Sequence, residues 1–89
     1  MKTMAEYRRI LDGALKEMMP LSISGYATRD WSYVRFTGQE MARFFAKKYR
    51  EVLYVIHDGW TDTIYIWRGS GNPPWDIEEH LKRIGYTVI

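Results

Sequence analysis

Alternating aromatic and aliphatic residues mark two segments of this chain, Trp31-Ser32-Tyr33-Val34-Arg35-Phe36 and Thr63-Ile64-Tyr65-Ile66-Trp67-Arg68. Successive side chains of a β-strand point to opposite faces of its sheet. If aliphatic members such as Val34 and Ile64 face the core, the other face collects five large side chains: Trp31, Tyr33, Arg35, Tyr65 and Trp67. Four aromatic rings and a guanidinium on one sheet face require either a covering element or a ligand.

The sequence around these segments predicts a ferredoxin-like β-α-β-β-α-β order over residues ~29–89. Strands are expected at 31–37, 52–57, 63–68 and 86–89, and helices at 38–50 and 74–84. Thr37, with Glu40 three positions later, predicts the cap of the first of these helices, whose core face would hold Met41, Phe44, Phe45 and Tyr49. In this order the strands 31–37 and 63–68 are central neighbours, so the aromatic side chains form one patch. Residues 1–89 therefore read as a single α+β domain.

A second assignment differs at the edge of the sheet. Residues 21–25 can form a short strand that pairs with 31–37 as a hairpin, which would repeat a hairpin-helix unit twice. In this assignment, residues 1–20 form an N-terminal helix and residues 21–89 form the α+β core.

The first 20 residues predict an amphipathic helix over 4–19. Thr3 and Glu6 form a capping box, and Pro20 ends the helix. Its apolar stripe consists of Met4, Tyr7, Leu11, Ala14, Leu15 and Met18. Each large apolar side chain gains about 1.5–3 kcal/mol on burial, so the leading expectation is that this helix covers the aromatic face. The alternatives are a protein interface and a platform for single-stranded nucleic acid.

The composition describes a small globular domain. Hydrophobic residues make up 46% and aromatic residues 16% of the chain, and cysteine is absent, which excludes disulfides, thiolate nucleophiles and cysteine-based metal sites. Residues 1–50 carry ten Lys and Arg against five acids, whereas residues 51–89 carry three against six. No segment reaches the roughly 20 apolar residues of a membrane span, so the expected location is the cytoplasm, without membrane contact.

The placement of aromatic side chains on two central strands resembles that of RNA-recognition-motif domains. That resemblance implies single-stranded RNA or DNA binding by base stacking, with cations along the phosphates. It covers topology and aromatic positions only, because the family's Lys/Arg-Gly-aromatic-Gly/Ala-aromatic stretch does not occur at residues 63–68.

Two further clusters carry charge or titratable groups. Arg43, Lys47 and Arg50 form a basic ridge on the predicted helix 38–50, which suits contact with phosphates or an acidic protein, or an ordinary solvated helix face. His57 and Asp58 end a strand and suggest a small hydrolase or nuclease as a third function class. No further motif supports catalysis, and two histidines without metal-ligand spacing predict neither a metal site nor a cofactor.

The function expected from the sequence is non-catalytic binding of a macromolecule, with another protein as the leading partner. Tryptophan, tyrosine and arginine are enriched at protein interfaces, and the uneven charge suits docking. Small cysteine-free binders of this size class include virus- or mobile-element-encoded inhibitors that block a host protein or a nuclease complex. A homodimer through the aromatic face is also compatible with the sequence.

Overall fold

The computed structural model describes residues 2–87, which form three α-helices and a four-stranded antiparallel sheet. The structure is therefore a small α+β domain. In chain order the elements are helix α1 (Met4–Met18), a 3-10 turn (Met19–Leu21), strands β1 (Ser24–Ala27) and β2 (Trp31–Arg35), helix α2 (Gln39–Tyr49), strands β3 (Val55–Asp58) and β4 (Thr63–Trp67), and helix α3 (Ile77–Arg83).

The strand order is β1-β2-β4-β3, with the two aromatic segments at the centre. Trp31 lies opposite Trp67 and Tyr33 opposite Tyr65, which confirms the predicted pairing of these segments. At the edge, β1 pairs with β2 where the ferredoxin-like order requires a C-terminal strand, so that order is not confirmed. The hairpin assignment describes this edge correctly. A short connection closes with less loss of chain entropy than a distant one, and the Thr28 N–H donates to the Trp31 carbonyl at 2.8 Å to close it.

The chain after α3 returns towards the N-terminus. Tyr86 forms an isolated parallel bridge with Lys2. The predicted strand 86–89 falls partly on residues 88–89, which lie outside the described residues. The Tyr86 hydroxyl also donates to the Val52 carbonyl, which fixes this segment beside the chain that leads into β3.

Helix α1 lies on the same sheet face as α2 and meets Trp67 of the predicted aromatic face, so the expectation that it covers the tyrosines of that face is wrong. Its stripe joins one core cluster with Val34, Ile64 and Ile66, which point away from the tyrosines. The Met19 side chain after α1 lies against Gly25, on the Val34 side of β1; a Cβ there would be 2.6 Å from the Met19 side chain. A second connection comes from Glu17, which binds Lys48 and Tyr49 of α2. Both helices therefore share one layer.

Helix α2 is rotated relative to the prediction. Its buried residues are Ala42, Phe45, Ala46 and Tyr49, whereas Met41 and Phe44 are exposed. The two alanines lie on the buried side, and the Phe45 ring stacks on Phe36 at 5.4 Å. The predicted Thr37 cap is also wrong, because Gly38 occupies the N-cap and no side chain caps the helix.

Candidate functional site

A row of large side chains crosses the sheet on the face that the helices leave open. The pairing register places Tyr26 of β1, Tyr33 of β2, Tyr65 of β4 and Ile56 of β3 side by side. The Tyr26 and Tyr33 rings stack with centroids 4.4 Å apart and planes 11° apart, and Tyr33 meets Tyr65 at 5.0 Å. Tyr26 is 66% exposed and Ile56 is 43% exposed. We call this surface, with the polar row described next, the open sheet face.

The neighbouring row on the open sheet face is polar. It runs from Ser24 through Arg35 and Thr63 to Asp58, one residue from each strand. Arg35 and Asp58 are the only charged side chains that the four described strands place on this face. Their charges cancel, so the face carries no net charge.

The β3–β4 turn closes one end of the open sheet face. Both carboxylate oxygens of Asp58 are engaged, because Oδ1 accepts from the Trp60 N–H at 2.9 Å and Oδ2 accepts from the Thr61 hydroxyl at 3.1 Å. These donors, the Trp60 N–H first, lower the pKa of Asp58, which keeps it ionised. Burial raises the pKa of Tyr65, and the Asp58 carboxylate adds to the rise. The turn leaves the Trp60 side chain 96% exposed.

The two tryptophans of the central strands lie outside this exposed surface. Trp67 is 6% exposed and belongs to the core, with its ring 5.7 Å from that of Tyr7 in α1. Trp31 is half-buried and meets the Tyr54 ring edge-on at 6.0 Å. At this end of the sheet, the chain before β3 covers Trp31 and the N-terminal half of α1 covers Trp67. The alternation of side chains along a strand does not reveal this cover. Of the five predicted residues, Tyr33, Arg35 and Tyr65 thus remain together on the open sheet face.

The predicted basic ridge is present on the outer side of α2, away from the open sheet face. Arg43, Lys47 and Arg50 are all exposed. None of the three forms an ion pair with another residue in the range 2–87. Lys47 lies in the last turn and Arg50 at the C-cap, where the helix dipole favours cations. The ridge is therefore a separate surface from the tyrosine row.

The structure does not bring His57 and Asp58 together as a pair. Adjacent strand residues face opposite sides of the sheet, and His57 lies beside Ile64 on the helix-covered side. Its Nε2 atom is buried without a hydrogen-bond partner in the described part of the chain. Residues 2–87 also contain no cluster of three acidic or histidine side chains suited to a metal ion.

Sequence reasoning missed Tyr26 and Ile56 as members of the site. The predicted strand 21–25 ends one residue before Tyr26, and the sequence places Ile56 in a strand without indicating which sheet face it lies on. The alternation of Ser24, Tyr26 and Thr28 is the signal in the sequence that could have placed Tyr26 on this face. Placing Ile56 there requires its register with Tyr65, which only the pairing of β3 with β4 supplies.

The comparisons with known proteins return no relative. No protein-family model, curated protein or solved structure matches this chain. Over the described residues, each helix is too short or too polar to cross a bilayer.

Proposed function

We propose that this protein is a non-catalytic protein-binding module that docks through the open sheet face. The observation that supports it is a row of three contacting tyrosines on a sheet face without a covering helix. Inhibition of a target, as in virus- or mobile-element-encoded inhibitors that block a host protein or a nuclease complex, is part of this proposal and rests on the small size of the chain.

The composition of the face resembles that of protein interfaces. Tyrosine, tryptophan and arginine dominate interface hot spots, whereas lysine is depleted there. The open sheet face holds Tyr26, Tyr33, Tyr65 and Arg35, and its strands contain no lysine. Because Tyr26 and Tyr33 already stack on each other, their rotamer freedom is reduced before a partner arrives. Less entropy is then lost on binding.

The dimensions of the face indicate what else a partner touches. Four strands at about 4.8 Å spacing and five residues at about 3.3 Å give roughly 300 Å² in projection. A standard interface covers about 800 Å² on each partner. The contact must therefore extend beyond the sheet, and Trp60 on the adjoining turn offers a large exposed anchor.

Single-stranded nucleic acid is the runner-up partner, and the stacked pair Tyr26–Tyr33 is the feature that favours it. Such platforms also need cations that follow the phosphates. The open sheet face supplies Arg35 alone and places Asp58 in the same row, while Arg43, Lys47 and Arg50 lie on α2. The charge distribution therefore favours a protein.

Site-specific photocrosslinking in the source cell tests this proposal. A benzoylphenylalanine at position 26 lies on the open sheet face, and one at position 44 is a matched control, because Phe44 is an aromatic side chain of similar exposure (59%) on α2. We expect a discrete protein adduct from position 26 that position 44 does not give and that Tyr33→Ala weakens.

Three outcomes contradict the proposal. Equal adducts from both positions, or adducts from position 44 alone, would place the contact elsewhere. A nucleic-acid adduct from position 26 would replace the protein partner by the runner-up. The absence of any adduct at position 26 would remove the open sheet face as a binding surface.

A further inference from the structure

Arg35 is fixed in place but carries no ionic partner. Its Nε donates to the Thr61 carbonyl at 3.1 Å, which ties the guanidinium of β2 to the β3–β4 turn. The side chain is exposed, and neither Nη atom has a hydrogen-bond or ion-pair partner among residues 2–87. A guanidinium held through Nε presents its two Nη groups as a ready pair of donors.

The groove around Arg35 is lined by hydroxyl groups. It encloses about 260 Å³ between β1, β2, β4 and the turn. Its lining residues are Ser24, Gly25, Tyr26, Tyr33, Arg35, Thr61, Thr63 and Tyr65. Six of these side chains carry a hydroxyl, and the tyrosine rings give one wall an apolar surface. The groove thus offers a cation, neutral donors and an aromatic wall together.

The carboxylate in the same polar row as Arg35 is already occupied. Asp58 accepts hydrogen bonds from the Trp60 N–H and the Thr61 hydroxyl, and more weakly from the Tyr65 hydroxyl at 3.5 Å. It lies two strands from Arg35, about 10 Å away at normal strand spacing, and forms no ion pair with it. Because Arg35 forms no ion pair with any carboxylate of residues 2–87, its positive charge is left for an external anion.

We propose that Arg35 receives an aspartate or glutamate side chain of the partner protein, next to an apolar residue that packs on Tyr26 and Tyr33. This inference rests on the proposed function and names the chemistry that the partner must present. A carboxylate matches two parallel Nη donors in a bidentate contact. A doubly charged phosphate would meet about twice the repulsion from Asp58, because Coulomb energy scales with charge.

A random dodecapeptide library displayed on phage is the probe for this site. It is selected against the wild type, against Arg35→Gln and against Arg43→Gln, which removes another exposed arginine, on α2. We expect wild type and Arg43→Gln to enrich peptides that carry an acidic residue beside an apolar one. Arg35→Gln should lose the acidic preference. Thermal melting of each variant verifies that it is folded.

The leading selected peptide then permits a double-mutant cycle. Replacing its acidic residue by the corresponding amide should weaken binding to the wild type about tenfold and leave binding to Arg35→Gln unchanged. Arg35→Lys keeps the charge without the planar fork, so it should retain only part of the affinity.

Several results would overturn this inference while leaving the crosslinking test of the proposed function intact. These are peptides without acidic residues, an acidic preference that survives in Arg35→Gln, or equal losses in both arms of the cycle. A larger chemical-shift response of the groove residues to inorganic phosphate than to acetate would also overturn it. Failure of the crosslinking at position 26 would instead remove the docking surface itself.

Discussion

Some tyrosines of this protein place their hydroxyl groups in hydrogen bonds inside the fold, and others lie on its surface. The Tyr7 side chain is fully buried, and its hydroxyl donates to the Trp67 carbonyl and accepts from the Tyr54 N–H at 3.2 Å. Burial raises the pKa of Tyr7. Burial also raises the pKa of Tyr54 to about 12, with a further rise from the hydrogen bond to Asp76. These hydroxyls are structural, whereas the Tyr26 side chain on the open sheet face is 66% exposed.

Replacing Tyr7 by Phe should destabilise the protein by about 1–3 kcal/mol, because it leaves one buried and one partly buried backbone group without this partner. Tyr26→Phe is the matched control and should change the free energy of unfolding by less than about 0.5 kcal/mol, since that hydroxyl lies at an exposed site. Urea denaturation measures both changes. Equal effects of the two substitutions would show that the Tyr7 hydroxyl is not a structural link.

At the level of single elements, helix α1 has the capping contact that its sequence predicts. The Thr3 hydroxyl accepts from the Glu6 N–H at 3.2 Å. Thr3→Ala should therefore cost about 0.5–2 kcal/mol of unfolding free energy. Thr37→Ala provides the control, because Gly38 is the N-cap of α2 and Thr37 is exposed. A loss of similar size at position 37 in chemical denaturation would contradict this account of the two helix starts.

Helix α1 also contains a glycine that its packing does not require. A Cβ at Gly13 would meet no atom within 4 Å. Gly13→Ala should raise the free energy of unfolding by about 0.5–1 kcal/mol, because alanine loses less chain entropy in a helix. Gly69→Ala should lower it, since Gly69 has a φ of +83° and a Cβ there would approach Tyr7 at 3.1 Å. If the melting temperatures of Gly13→Ala and Gly69→Ala shift in the same direction, this distinction between the two glycines is wrong.

At the level of the whole molecule, Glu17 joins the two helices of the covered layer. Its carboxylate oxygens bind the Lys48 ammonium and the Tyr49 hydroxyl, each at 2.6 Å. The Lys48 contact, followed by that of Tyr49, lowers the pKa of Glu17 from the ordinary value of 4.5. A carboxylate with a lowered pKa stabilises the folded state above its unfolded pKa, and this contribution is lost as the pH falls through the folded pKa.

Glu17→Gln should therefore lower the urea midpoint at pH 7 and flatten its decline below pH 4.5. Glu51→Gln is the control, because Glu51 is exposed and lies outside this helix contact. The urea midpoint, measured at several values between pH 7 and pH 2, follows the effect. A decline as steep in Glu17→Gln as in the wild type would show that the contact does not stabilise the folded state.

The site was only partly predictable, for reasons that residues 31–35 and 63–67 illustrate. Alternation placed Tyr33, Arg35 and Tyr65 on one face, because side-chain direction in a strand is a local property. Trp67 obeys the same alternation but is buried, since at the end of the sheet its ring meets Tyr7 of α1. Tyr26 joined the face only through its register with Tyr33.

The amino-acid sequence by itself determined the class of each element and the apolar side of α1, because these follow from short-range periodicity and capping. Tertiary structure alone decided which sheet face α1 covers, which strand lies beside β2 and how α2 is rotated. Those choices depend on packing between distant segments. Both faces of the central strands carry large apolar side chains, so the periodicity of α1 does not select between them. The open sheet face exists because α1 and α2 share the opposite side.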